Sequence, residues 1–366
     1  MASKTKICIT QVAFIAFLIA DVVLCDDNVP VPADRAQVDK WFSENVGPLA
    51  QRKATLDPAL VAAEDYPPKV VKVKPDGSGD FKTITEAINS IPIANAKRMI
   101  VYIAGGNYNE KVKIDRGKPF ITFYGEPGNM PNLTYGGTAK QYGTLDSATL
   151  IVESDYFVAT NIIFSNSAPR PDGREDEQAV ALRITGDKAA FYNCKFFGFQ
   201  DTLCDDRNKH FFKDCFFQGT VDFIFGSAKS LYLRSQLNVL GDAQMTAIAA
   251  QGRKNTVDDE GFTFVHCDIT GTGNGTYLAR AWMSHSRVIY AYSQMTDVVN
   301  DAGWTDTMAV DYGETVYFGE YNNAGPGADR TGRPEYVKQL SDAEVKPFIT
   351  LASIEGSKWL LPPSKV

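Results

Sequence analysis

The stretch "FYNCKFFGFQDTLCDDRNKHFFKDCFFQGTVDFIFG" (residues 191–226) decides the fold. Shifted by 21 residues, its beginning falls on its end. Cys194 meets Cys215, Gly198 meets Gly219, and Asp201 meets Asp222. Related short runs recur as "VATNIIF" (158–164), "FVHCDIT" (264–270) and "YAYSQMT" (290–296). Each is a brief β-rich run followed by a turn signal (Ser165, Gly271 and Asp297), which is strand chemistry followed by turn chemistry. Repeats of this period mark solenoids. Long 3.6-residue periodicity is scarce, so the expectation is an all-β fold, a right-handed parallel β-helix with short capping helices. Residues one coil apart then stack about 4.8 Å apart. Cys194 over Cys215 reads as an inward ladder of buried thiols, with a disulfide as the alternative.

Outward from that core, the chain reads as one domain with a leader. Lys4 and Lys6 precede the apolar run "VAFIAFLIA" (12–20), the pattern of a secretory signal peptide over residues 1–25. A membrane anchor is the alternative, but the run between Gln11 and Asp21 is short for a span. Residues 26–65 form a partly helical lead-in, and residues 66–366 carry the β-helix. "TITEAINSIP" (83–92) reads as a helix capping the stack. Ser341 with Glu344 forms a capping box that opens a closing helix. The sequons at Asn132 and Asn274 are candidate glycosylation sites on a secreted protein.

Of 366 residues, 44% are hydrophobic and 22% charged, with a net charge of −7. That balance suits a globular domain and argues against nucleic acid as a partner, which calls for a basic surface. No later apolar run is long enough for a membrane span. Cysteine spacing gives no zinc pattern. There is no G-x-S-x-G elbow, phosphate loop or dinucleotide fingerprint.

The repeat makes Asp201 and Asp222 neighbours on adjacent coils, in apolar surroundings. Two such carboxylates share a proton, which supplies one acid and one anion without a histidine. The bland alternative is that each Asp caps local backbone amides. Gln178 lies 22 residues before Gln200, again one coil. The pair can offer NH₂ groups to a developing oxyanion, or simply bond each other as a ladder. In "YLARAWMSHSRVIYAYS" (277–293), Arg280 and Trp282 alternate on one side of an extended segment. A guanidinium beside Asp222 would keep it ionised, and the indole would offer a flat face to a sugar ring. Spacing does not say which coil they meet. His266 reads as structural.

Together "GNYNEKV" (106–112), "QAVALRI", "GFQDTL", "GTVDFIFG", "LARAW" and "YFGEYNNAGPGA" (317–328) resemble the plant pectin methylesterases, over roughly residues 70–361. The resemblance implies a secreted, extracellular cell-wall enzyme that hydrolyses methyl esters of homogalacturonan and releases methanol. No metal or organic cofactor is implied. Asp222 matches the family nucleophile and Asp201 the proton donor and later base. Gln178 and Gln200 match the oxyanion amides, Arg280 the residue holding the nucleophile, Trp282 the sugar-stacking residue, and Thr144 in "GTLDSAT" a substrate contact. The expected partner is methylated homogalacturonan, with a proteinaceous pectinesterase inhibitor as a further one, and the expected state is a monomer. Ala279 and Ala281 stand where the family has Gly and Pro, and "GWTDTM" (303–308) lacks a second Trp. The lead-in is too short for the inhibitor-like pro-region that many members carry. The alternatives are a β-helix glycosidase acting on pectin and a catalytically silent pectin-binding wall protein.

Overall fold

The computed structural model describes residues 27–241, 245–306 and 312–364. The expected leader and part of "GWTDTM" lie outside these residues. Each coil comprises three short strands, and every named strand pairs in parallel with its counterpart one coil away, giving one sheet of 11 strands and two of eight. The coil from residue 189 shows the pattern. Ala189–Tyr192 lies in the first sheet, Lys195–Phe197 in the second and Leu203–Asp205 in the third; Lys209–Lys213 then re-enters the first sheet one step on. Lys195 pairs with Phe216 and Leu203 with Ile224, which is the 21-residue shift. The architecture is the right-handed parallel β-helix expected from the repeat.

The corner between the first and second sheets is a single left-handed residue, repeated as Asn161, Asn193, Asp214, Arg234, His266, Tyr292 and Asn322, with φ from 48° to 59°. Asn and Asp tolerate this conformation; Arg, His and Tyr there cost about 1–2 kcal/mol each, which coil stacking offsets. After five of these corners the next residue is small and buried. Cys194, Cys215 and Cys267 are buried free thiols in this column, and Ser235 and Ser293 fill intervening places. The Ser235 hydroxyl accepts from the Cys215 amide at 3.2 Å, and Ser293 does the same for Cys267. The thiol-ladder reading therefore holds.

Inside the tube, Phe191, Phe212, Tyr232, Phe264 and Tyr290 stack ring on ring, with centroids 4.5–4.7 Å apart. Each contact contributes about 0.5–1.5 kcal/mol beyond burial. Ile84–Ser90 has the full capping box of Thr83 and Glu86, and it buries Ile84, Ala87 and Ile88 over the first coils, as the sequence suggests. The box at Ser341 also forms, but it opens only one turn, Asp342–Val345. Pro347 follows two residues on, after Lys346, and cannot continue a helix. Val345 and Ile349 pack on the outer face of the first sheet with the lead-in, rather than closing the end of the stack.

That outer face is where the two ends of the described chain meet. Trp41, Phe42 and Leu60 share an apolar cluster with Phe211, Leu231, Ile354 and Trp359. The Val31 amide donates to the Ile349 carbonyl at 2.8 Å, and the Ala352 amide to Asp27 at 3.0 Å. The buried Arg52 guanidinium reaches the carbonyls of Gly356, Ser357 and Leu360. Arg234 holds Asp39 and Asp214 together, fixing the lead-in to the coil stack.

Candidate active site

The corner between the second and third sheets carries the two aspartates. Both are left-handed, Asp201 at φ 66° and Asp222 at φ 52°, and both are buried. The Asp201 amide donates to the Val221 carbonyl at 3.0 Å, so the corners sit one above the other. A register shift between Val221 and Ile224 places Asp222 in a bulge, a local device that re-aims a side chain. Gly219 is forced by this crowding: a Cβ there would lie 2.2 Å from the Phe223 Cβ and 2.5 Å from the Phe199 carbonyl.

Arg280 pairs with Ala250, and Ala250 pairs with Phe225 on the Asp222 strand. The guanidinium thus originates two strands away and passes over the small Ala250. It donates from Nε to Asp222 Oδ1 at 2.7 Å and from Nη2 to Oδ2 at 2.5 Å. A two-pronged pair of this kind needs an ionised carboxylate as acceptor. Ala279 and Ala281 belong to the same regular strand, Thr276–Ala281, so the departure from Gly and Pro leaves Arg280 on target.

Asp201 has no such partner; among the described residues its carboxyl accepts no hydrogen bond. Burial raises its pKa well above the ordinary carboxylate range, and the Asp222 charge raises it further, against an opposing pull from Arg280. The neighbours are thus electrostatically unequal, one ion-paired and one that holds its proton more tightly than an ordinary carboxyl.

A cleft of about 330 Å³ opens over them, lined by Thr144, Leu145, Gln178, Gln200, Asp201, Asp222, Phe225, Ala250, Arg280 and Trp282. Every catalytic or substrate-contacting residue expected from the sequence therefore lies in one cleft. Gln178 Nε2 donates to Thr144 Oγ1 at 3.0 Å rather than to Gln200, so the amide-ladder alternative does not describe this pair. Trp282 is 38% exposed at the rim and meets Phe225 edge to face, with centroids 6.0 Å apart. It rests on Gly252, where a Cβ would come within 2.9 Å of the indole. The cleft floor is apolar where Phe225 and Ala250 line it, and both belong to a buried cluster with Ile151, Val180 and Cys204.

Of the candidate glycosylation sites, Asn274 lies on an exposed turn. Asn132 lies in strand Asn132–Tyr135, its amide donating to Asn107 at 3.0 Å. His266 donates from Nε2 to the Pro32 carbonyl at 2.7 Å and stacks on Tyr292, a structural place. Sequence reading missed a second polar cluster. His210 sets one ring nitrogen against the Asp205 carboxylate and the other 2.9 Å from the Gly186 carbonyl, and Tyr232 donates to Asp205 at 2.6 Å. All three side chains are buried inside the tube. The only signal was "LCDD" followed by "KHFF", polar residues at inward strand positions. Among the described residues no cluster of His, Cys, Asp and Glu could hold a metal ion, and no helix is long and apolar enough to cross a membrane.

A parallel β-helix whose cleft holds an ion-paired carboxylate, a second buried carboxyl and side-chain amides is an arrangement suited to nucleophilic and acid–base chemistry. The chain belongs to the Pectinesterase family, whose sequence pattern matches residues 70–357. It is 56% identical over 347 residues to Pectinesterase 1 of Olea europaea, covering 94% of each chain. It is 51% identical over 357 residues to Probable pectinesterase 49 of Arabidopsis thaliana, covering 98% of each. Among solved structures it is similar to the pectin methylesterase from carrot, with a TM-score of 0.73, 33% identity, and coverage of 82% of this chain and 98% of that one. The Aspergillus niger pectin methylesterase gives a TM-score of 0.70 at 29% identity, with the same coverage.

Proposed function

We propose that this protein hydrolyses the methyl esters of homogalacturonan through an aspartyl acyl-enzyme. The observation that carries the reading is the inequality of the stacked aspartates: Asp222 doubly bonded to Arg280, Asp201 buried without a partner. Asp222 attacks the C6 carbonyl of a methylated galacturonate, forming the new C–O bond. The Gln178 and Gln200 amides stabilise the tetrahedral oxyanion. As the C–OCH₃ bond breaks, Asp201 gives its proton to the departing methoxide and methanol leaves. The resulting Asp201 carboxylate takes a proton from water, which attacks the anhydride and frees Asp222 and the galacturonate. Thr144 orients Gln178, and Trp282 stacks on a sugar ring. The apolar cleft floor and the overall negative charge favour an esterified, neutral stretch of polymer over a demethylated one.

The family match and the leader-like residues 1–25 support secretion to the extracellular cell wall. A monomeric enzyme open to a proteinaceous inhibitor is the partner reading that follows from the family. The decisive experiment is methanol release from methylated pectin by purified protein. Wild type is expected to release it and Asp222→Ala to fall to background; full activity in Asp222→Ala would refute the mechanism.

A further inference from the structure

Among the described residues seven large hydrophobic side chains are exposed, and three of them, Tyr142, Leu145 and Trp282, lie on the two segments that border the cleft. Leu145 and Trp282 line it directly. Tyr142 ends the short helix Ala139–Tyr142; Gly143, at φ 78°, then turns the chain so that Thr144 and Leu145 enter the cleft. The Tyr142 segment precedes strand Leu150–Val152, whereas Trp282 follows strand Thr276–Ala281. In the third sheet these strands lie on opposite sides of the two that carry or follow the aspartates, Leu203–Asp205 and Val221–Gly226.

The Tyr142 ring is held firmly for an exposed side chain. Its hydroxyl lies 2.9 Å from that of Tyr135. The Lys111 ammonium sits 5.0 Å from the ring centroid and donates to the carbonyls of Asp146 and Ala148, on the same segment. Gly137 leaves room beside it, since a Cβ there would lie 3.2 Å from the ring. Braced in this way, the ring is still 42% exposed. A pre-ordered aromatic surface loses little rotamer freedom when a ligand stacks on it.

We propose that Tyr142 is a second sugar-stacking residue, forming a subsite for the methylated polyuronide chain on the far side of the aspartates from Trp282. The proposal rests on the pectinesterase reading and adds a preference for long substrates. A polymer reaching both rings gains from both; a short oligomer at the aspartates gains from one.

The test compares Tyr142→Ala and Tyr142→Phe on long methylated homogalacturonan and on a methylated trimer, with direct calorimetric binding of the long substrate alongside. Tyr142→Ala is expected to raise KM for the polymer about tenfold, leave kcat within about twofold, and leave the trimer unaffected. Tyr142→Phe keeps the flat face and is expected to behave as wild type. If Tyr142 only braces the segment carrying Thr144, kcat falls and the trimer suffers equally, which overturns the proposal. An unchanged KM and affinity for the polymer also overturn it. Should Tyr142→Ala fold poorly, Tyr142→Leu retains apolar bulk without a flat face and is judged by the same criteria. Methanol release by wild type is measured in parallel, so a failure of the esterase reading is distinguished from a failure of this subsite.

Discussion

At the scale of single residues, Asp201 is where stability and chemistry conflict. Its raised pKa means that the folded state keeps a proton that the unfolded chain gives up. The folded state therefore binds more protons across the interval between the two pKa values, and stability from this group is present at low pH and lost as pH rises through that interval. Asp201→Asn removes the titration and keeps the shape. Its melting temperature is expected to exceed that of wild type, by a margin that widens from pH 4 towards neutrality, while methanol release drops about 10²-fold or more. A margin that shrinks with rising pH, read by calorimetry, would contradict the assignment. The two aspartates were legible in the sequence because one coil, by chance of loop length, has no insertion, so the 21-residue offset survives intact. His210 was not legible. Its partners Asp205, Gly186 and Tyr232 come from three coils, and the polar residues in "LCDD" and "KHFF" do not by themselves say that they meet.

At the scale of elements, the third sheet acts as a ruler. Alternation along "LARAW" shows that Arg280 and Trp282 share a side, but not that one strand separates Arg280 from Asp222. That distance is bridged because Thr246–Gln251 presents Ala250 beneath the guanidinium. Ala250→Leu places a branched side chain in the path. It is expected to lower kcat by about 10²-fold or more through loss of the pair with Asp222, with far-ultraviolet circular dichroism unchanged; wild-type activity would show that Arg280 does not depend on this gap. The strands themselves were readable from composition, yet the full repeat was not. Between successive left-handed corners from Asn161 to Asn322 the coil length varies from 20 to 32 residues. Loops, which the core does not constrain, absorb the difference. The closing helix was overestimated for a related reason: the capping box fixes where a helix starts, and only the downstream Pro347 limits where it ends.

At the scale of the whole molecule, the lead-in and the C-terminal segment determine more than their length suggests. Arg52→Ala removes the side-chain donor to the carbonyls of Gly356, Ser357 and Leu360 and is expected to cost about 2–5 kcal/mol, measurable by denaturant unfolding; a loss below about 0.5 kcal/mol, the range of neutral surface changes, would show that the contact is incidental. Stacked-repeat proteins ordinarily behave as one-dimensional arrays in which terminal units fray first and unzip toward the middle. Here the lead-in from Asp27 onward lies across coils formed late in the sequence and is fastened to the C-terminal segment. Unzipping of the described coils then has to break these lateral contacts as well as the stacking between neighbours. The consequence is a tube that melts as a single unit, with the acidic pair near its middle protected from partial opening at either extremity.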